Sequence, residues 1–176
     1  MKANFFRHII LLLIIVVSFS VSACKPSLDS IAYHPFTPYQ KSLVKQLRKA
    51  GVQVIKQAEV LQLVIPTDSF FYPQTTQLRR QRIDVIDVAA SLVKSYIAYY
   101  KAPRMYVSGY SDGVFRRTTR RVLSEMYAKV IAAQLWENGV PQKNMRVKGY
   151  GARYPIGDNR TAAGAAHNRR VVIRIN

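Results

Sequence analysis

The fold of this chain is decided by residues 105–139, which read MYVSGYSDGVFRRTTRRVLSEMYAKVIAAQLWENG. The first four residues form a short β-rich run that leads into Gly109, and a helical pattern follows over roughly residues 118 to 138. Gly139 marks the end of this helix, because glycine readily adopts the left-handed conformation that closes helices. The periodicity predicts that the helix buries a stripe made of Leu123, Met126, Val130 and Ala133.

Strands and helices continue to alternate on both sides of this unit. The further predicted elements are a short helix over residues 38–51, hairpin strands at 52–55 and 60–65, a long helix at 75–101, and closing strands at 145–149 and 171–175. Pro103 ends the long helix, since the residue before a proline avoids the α region. Strands that alternate with helices imply βαβ units, so we predict helices packed on one sheet.

The first 23 residues have the features of an export signal. Lys2 and Arg7 give a basic start, an apolar run of about nine residues follows, and small residues precede Cys24. A transmembrane helix is disfavoured because roughly 18 or more apolar residues are needed to span a bilayer. The pattern resembles the signals of bacterial lipoproteins, which implies cleavage before Cys24 and a lipid anchor on it. Residues 24–37 then predict a flexible tether.

The chain is strongly basic, with a net charge of +18. Removal of residues 1–23 takes away two basic residues, which leaves 25 basic and 9 acidic side chains, or +16. Such a surface attracts anionic partners such as lipid head groups, peptidoglycan carboxylates or acidic proteins. A generally basic proteome would explain the same charge. The export signal, and the lack of any finger, helix-turn-helix or RRM signature, argue against nucleic acid as a partner.

The sequence contains no recognisable catalytic or cofactor-binding pattern. Its one cysteine permits no internal disulfide, and its three histidines lie far apart, so neither a zinc site nor any other metal site is expected. No Ser/His/Asp set, paired catalytic carboxylates or phosphate-binding loop stands out. We therefore predict a binding protein without a cofactor, not an enzyme.

Several motifs, in the right order, resemble the OmpA-like domain family over residues 52–176. Gly109-Tyr110-Ser111-Asp112 is similar to the family's Gly-His-Thr-Asp, and Leu123-Ser124 with Ala128 to its Leu-Ser-x-x-Arg-Ala. The other matching segments are 60–68 with Phe70, Phe71, Pro73 and Leu78, then 149–151 with Pro155, and finally Asn159, Thr161, Gly164 and 168–171. This resemblance implies an α+β fold, a βαβαββ sandwich of helices on one mixed sheet.

The resemblance also implies a site for peptidoglycan. Domains of this family grip diaminopimelate, whose ammonium and carboxylates suit an Asp and an Arg placed together. Asp112 stands at the family's Asp position, whereas Tyr127 stands at its Arg position. A phenol offers one neutral donor, so the carboxylate contact is expected to be weaker by about 1 to 3 kcal/mol. Arg120, two helical turns before Tyr127, and the neighbouring Arg116, Arg117 and Arg121 are the candidate substitutes. Residues 168–170, with Arg169 as a candidate for the site, either line it or hold the last strand to the sheet. Arginines 116, 117, 120 and 121 are equally explained as a solvated basic surface, and Asp112 as a turn residue.

Two functions follow from these features. The chain resembles the small lipoproteins of Dot/Icm type IVB secretion systems in its size, its lipoprotein leader, its single OmpA-like domain and its altered Arg position. This resemblance implies other envelope subunits as partners. The alternative is a general peptidoglycan-associated lipoprotein that anchors the outer membrane to the cell wall. Either function places the chain at the outer membrane, facing the periplasm, because Lys25 follows Cys24 where an inner-membrane retention signal has Asp.

Overall fold

The computed structural model describes residues 34–100, 103–114 and 116–176. The leader, Cys24 and nearly all of the predicted tether lie outside the described residues. Within the described ranges, no helix combines the length and the apolar character needed to cross a membrane.

The described chain contains five strands and five α-helices. In chain order they are α1 (Pro38–Lys49), β1 (Gln53–Gln57), β2 (Val60–Pro66), α2 (Thr67–Phe70), α3 (Arg80–Ile97), β3 (Met105–Tyr110), α4 (Arg117–Glu137), β4 (Met145–Gly151), α5 (Ala162–Asn168) and β5 (Arg170–Ile175). A 3-10 turn at Gln142–Asn144 precedes β4.

The five strands form one mixed sheet in the order β1-β2-β5-β3-β4. Only β3 and β4 run parallel, and the other neighbours are antiparallel. The elements from β2 onward follow the predicted βαβαββ order, with β1 added at one edge. The predicted fold of helices on one mixed sheet is therefore confirmed. The last strand, β5, lies between β2 and β3, so the residues that begin β5 reach the centre of the sheet.

Helix α1 confirms the predicted N-terminal helix and is well defined at its start. The Thr37 hydroxyl accepts from the Gln40 amide at 3.2 Å, and the Gln40 side chain accepts from the Thr37 amide at 3.0 Å. This capping box satisfies two amide donors that the helix cannot pair internally. The face formed by Leu43, Val44 and Leu47 is buried in the core.

The long helix predicted at residues 75–101 is shorter in the structure, because the residues before it form a local pairing of extended backbone instead. Phe71 forms an isolated bridge with Leu78, and the Tyr72 amide donates to the Gln77 carbonyl at 3.0 Å. This local pairing prevents residues 71–78 from joining α3, so the predicted start at residue 75 was wrong. The short helix α2, which the sequence did not predict, leads into this segment.

Helix α4 lies in the predicted place but buries a different stripe. Met126 and Ala133 are exposed, whereas the buried positions are Ser124, Ala128, Ile131, Ala132 and Leu135. Small side chains face the sheet here because the helix comes very close to Gly109 and Gly149, which are paired on β3 and β4. The predicted stripe was therefore wrong at Met126 and Ala133, whereas Leu123 and Val130 are half-buried. Small side chains face the sheet because of the close backbone approach.

Candidate functional site

A cleft of about 610 Å³ opens at the carboxyl end of β3. Its walls come from α2 and the segment after it, from the loop that follows β3, from α4, and from the residue before β5. The lining includes three charged side chains, Asp68, Asp112 and Arg169, and four aromatic ones, Phe71, Tyr72, Tyr110 and Tyr127. Three of the four residues predicted for a peptidoglycan site therefore line one cleft: Asp112, Tyr127 and Arg169.

Asp112 is a buried carboxylate held by the loop after β3. Its residue is 5% exposed. One oxygen, Oδ1, accepts from the Val114 amide at 3.2 Å, and the other, Oδ2, accepts from Arg169 Nη1 at 2.5 Å. One oxygen of Asp112 thus shapes the loop, as expected of a turn residue, while the other lies against the Arg169 guanidinium in the cleft.

Arg169 joins Asp112 to a second carboxylate, Asp68. Its Nε and Nη2 donate to the two oxygens of Asp68 at 2.7 and 2.5 Å, a bidentate pair that complements the bond to Asp112. The two carboxylates raise the pKa of the Arg169 guanidinium, chiefly through the bonds to Asp68, so its charge is fixed. The backbone positions this pair, because the Thr67 amide donates to the Arg169 carbonyl at 3.0 Å.

Tyr127 completes the cleft from α4. Its ring lies 4.6 Å from that of Phe71, at an interplanar angle of 58°. Burial raises the pKa of the Tyr127 phenol, the nearby Asp68 charge raises it further, and Arg169 lowers it. The phenol is therefore neutral at physiological pH. No described side chain or backbone group makes a hydrogen bond with its hydroxyl.

Arg120, the fourth predicted residue, does not line the cleft. Its Nη1 donates to the Gly113 carbonyl at 3.0 Å, and its Nε is buried without a hydrogen-bond partner in the described part of the chain. The side chain thus supports the loop after Asp112 from outside. On α4 the positions that face the cleft are Thr119, Leu123 and Tyr127, at spacings of four.

The two residues beside Arg169 have structural contacts instead of cleft contacts. Asn168 is fully buried, and its amide oxygen accepts from the backbone amides of Ile156 and Gly157 at 2.7 and 3.0 Å. Arg170 lies 4.1 Å from the centre of the Tyr110 ring. The sequence left open whether residues 168–170 line the site or hold the last strand, and the structure divides these roles: only Arg169 lines the cleft.

Asp68 is the site residue that the sequence analysis missed. Its motif was noted, but no role was given to its carboxylate. The signal that would have revealed it is topological. Asp68 follows the end of β2 and Arg169 precedes the start of β5, and these two strands are antiparallel neighbours. The pair is 101 residues apart in sequence.

Chemically, the cleft presents opposite charges side by side next to an aromatic wall. A buried carboxylate such as Asp112 can accept from an ammonium group, and the phenol and guanidinium can donate to an oxygen. In the described part of the chain no group of three or more His, Cys, Asp or Glu side chains could hold a metal ion. The arrangement therefore suits a polar organic ligand that carries an amine.

The profile of the OmpA family matches residues 70–169. The probable lipoprotein YiaD of Escherichia coli is 28% identical over 137 residues, which cover 78% of this chain and 61% of YiaD. The outer-membrane lipoprotein YfiB of Pseudomonas aeruginosa is 37% identical over 70 residues, which cover 40% of this chain and 42% of YfiB. The chain thus spans less than two thirds of the length of either relative.

A solved structure shows the same fold. The cell wall anchor of the type VI secretion system (T6SS) of Pseudomonas aeruginosa aligns with a TM-score of 0.65 at 21% sequence identity, and the alignment covers 77% of this chain and 95% of that one.

Proposed function

Because this chain belongs to the OmpA family, we propose that it is a lipoprotein of the outer membrane whose cleft binds the peptide part of peptidoglycan. The observation that carries this proposal is the placement of Asp112 and Arg169, a buried carboxylate and a guanidinium, 2.5 Å apart in an open cleft. YfiB is described as an outer-membrane lipoprotein and the T6SS structure as a cell wall anchor, which supports both parts of the proposal.

The diaminopimelate of a stem peptide fits this cleft through its two kinds of charged group. Its ammonium would donate to Asp112, while Tyr127 would donate to an oxygen at its acid end. The aromatic rings of Phe71 and Tyr72 would cover its aliphatic chain, which reduces the apolar area left in water.

Co-sedimentation with purified peptidoglycan tests this proposal. The protein is residues 24–176 with Cys24→Ser, and the salt is raised so that general attraction by the basic surface is screened. We expect salt-resistant binding that Asp112→Ala abolishes. The matched control is Asp158→Ala, which removes an equal charge from an exposed site outside the cleft. Equal binding by wild type and Asp112→Ala at raised salt would refute the proposal.

The anchor on Cys24 is a separate part of the proposal. Cys24→Ser in the full-length chain is expected to stop both lipidation and cleavage before residue 24, which the mass of the protein measures. If the variant lost its leader and had the processed mass of the wild-type chain, the lipoprotein assignment would be wrong.

A second candidate is a subunit of a secretion machine, for which Tyr127 is the specific observation. With a neutral phenol at the family's Arg position, the fold would be kept for protein contacts. The chain would then resemble the lipoprotein IcmN (DotK) of Dot/Icm type IVB systems. Such a subunit would occupy the outer-membrane core complex beside other envelope subunits, and the basic surface would contact acidic proteins. Asp112→Ala separates the two functions: a wall anchor loses peptidoglycan, whereas a machine subunit keeps the proteins that co-purify with it.

A further inference from the structure

The charge of the cleft is negative, although the chain as a whole is strongly positive. The charged side chains among the lining residues are Asp68, Asp112 and Arg169, so two carboxylates and one guanidinium give a net charge of −1. Every other lining side chain is uncharged at neutral pH. These three lining charges favour a cation over an anion in contact with them. The guanidinium of Arg79 lies 5.3 Å from the ring of Tyr72, outside this group of three.

Arg169 cannot offset this by offering a free fork to a ligand carboxylate. All three of its side-chain nitrogens already donate, Nε and Nη2 to Asp68 and Nη1 to Asp112. The Nε and Nη2 edge, which binds carboxylates in the bidentate manner, is filled by Asp68. Of its five N–H groups two remain, one on Nη1 and one on Nη2, so a ligand carboxylate would share the guanidinium with both of the chain's own carboxylates.

Tyr127 is then the side chain that meets the acid end of a ligand from α4. Its hydroxyl, which no described group bonds, can both donate and accept one hydrogen bond. A neutral phenol cannot neutralise a carboxylate, but it matches a carboxamide, which offers an acceptor and donors of its own. Beside it, Phe71 and Leu123 provide an apolar wall for methylene groups.

We propose that the cleft selects a stem peptide whose third residue carries an ammonium but no free side-chain carboxylate. Lysine and amidated diaminopimelate belong to this class, and diaminopimelate with a free acid does not. This inference rests on the proposed binding of peptidoglycan and names the form of stem peptide that the site takes. Asp112 accepts from the ammonium, Tyr127 bonds the amide where one is present, and the filled guanidinium of Arg169 keeps Asp112 in place.

The test compares three synthetic stem peptides that differ only at the third residue: diaminopimelate, its side-chain amide, and lysine. Calorimetry with residues 24–176 carrying Cys24→Ser, at raised salt, is expected to show about tenfold tighter binding of the amide and lysine peptides than of the free acid. Tyr127→Arg adds a guanidinium and is expected to tighten the free-acid peptide about tenfold, which removes the preference. Tyr127→Phe, the matched control, removes only the hydroxyl and should keep the preference for the lysine peptide over the free acid, because the charges that set it remain. Circular dichroism and the melting temperature confirm that the variants are folded.

The possible outcomes separate this inference from the proposed function. Tighter binding of the free-acid peptide by the wild type would overturn the inference and leave peptidoglycan binding intact. Binding of none of the three peptides would overturn both. An unchanged preference in folded Tyr127→Arg would also refute the inference, since the residue that it names would then have no part in selection.

Discussion

Replacement of Gly109 by alanine adds one methyl group. It is expected to destabilise this fold more than almost any other substitution that adds a single methyl group. A Cβ at Gly109 would lie 1.7 Å from the carbonyl oxygen and 2.6 Å from the carbonyl carbon of Ser124 on α4. These are backbone atoms, so no side-chain rotation relieves the clash, and strand and helix must separate by more than 1 Å. A Cβ at the neighbouring Gly149 would likewise lie only 2.4 Å from the carbonyl oxygen of Arg121, so the helix is close to the sheet at both glycines and cannot simply tilt.

The magnitude follows from the cost of forcing extra atoms into a packed interior. Overpacking typically costs 1 to 3 kcal/mol, and this case belongs at the upper end, so Gly109→Ala should lower the free energy of unfolding by about 3 kcal/mol. For a chain of this size that corresponds to a fall in melting temperature of about 6 to 12 °C. Urea unfolding followed by circular dichroism measures both quantities.

The matched control is Gly113→Ala in the next loop. A Cβ there would meet only the Asn159 side chain, at 3.6 Å or more, which is an ordinary contact. We expect a change within about 0.5 kcal/mol. If both variants changed the free energy of unfolding equally, the argument from helix and strand approach would be refuted.

Three further predictions concern the helix start, the loop before β5 and alkaline pH. Thr37→Ala removes the capping box of α1 and should cost about 1 kcal/mol in urea unfolding, and no measurable cost would contradict the cap's role. Asn168→Ala leaves buried backbone groups unpaired and should cost about 2 to 4 kcal/mol, whereas a loss below about 1 kcal/mol would mean that water replaces the amide. Burial raises the pKa of Tyr127 above its ordinary value of 10.0, so above pH 10.0 the unfolded chain releases the proton first and stability falls as pH rises toward the folded pKa. Tyr127→Phe should reduce this loss between about pH 9 and about pH 11, with part of it remaining because burial also raises the pKa of Tyr110; identical curves would exclude Tyr127 as a source.

The order of elements could be predicted because each has a local signal. Gly51 and Gly139 adopt the left-handed backbone at φ +88° and +82° that the helix ends required, and the hairpin and the central strand follow from short β-rich runs. Helix α5 was missed because its seven residues, rich in alanine and glycine, carry no apolar period.

The buried face of α4 could not be predicted from hydrophobicity, because it is set by a partner far away in sequence. Leucine and methionine at 123 and 126 satisfy a helical stripe, but the glycines at 109 and 149 bring the sheet too close for large side chains. Ser124 and Ala128 take the buried positions instead, and the Ser124 hydroxyl accepts from the Gly151 amide at 3.0 Å. A period of 3.6 identifies a helix more reliably than it identifies which face is buried.

The site residues that belong to a sequence motif could be predicted. The residue that strand pairing brings to the site could not. Asp112, Tyr127 and Arg169 could be named from their positions in the motifs. Asp68 could not, because its partner is chosen by the antiparallel register of β2 and β5. The exclusion of Arg120 from the cleft likewise depends on the rotation of α4, which the sequence misjudged.

A variant at Asp68 shows whether the ion pair with Arg169 sets the choice of ligand or only stabilises the fold. Its side chain is 47% exposed, so the pair with Arg169 should contribute about 1 kcal/mol or less to the free energy of unfolding. Asp68→Asn should therefore hardly change the melting temperature, yet it brings the net charge of the cleft from −1 to zero and opens one edge of Arg169. We expect the free-acid stem peptide to bind more tightly and the lysine peptide more weakly, so the ratio of their two affinities falls. Asp158→Asn removes the same charge from an exposed pair outside the cleft and should leave the preference unchanged. If both variants lowered the ratio of affinities equally, the overall charge of the domain, and not the contacts of Arg169, would set the choice of ligand.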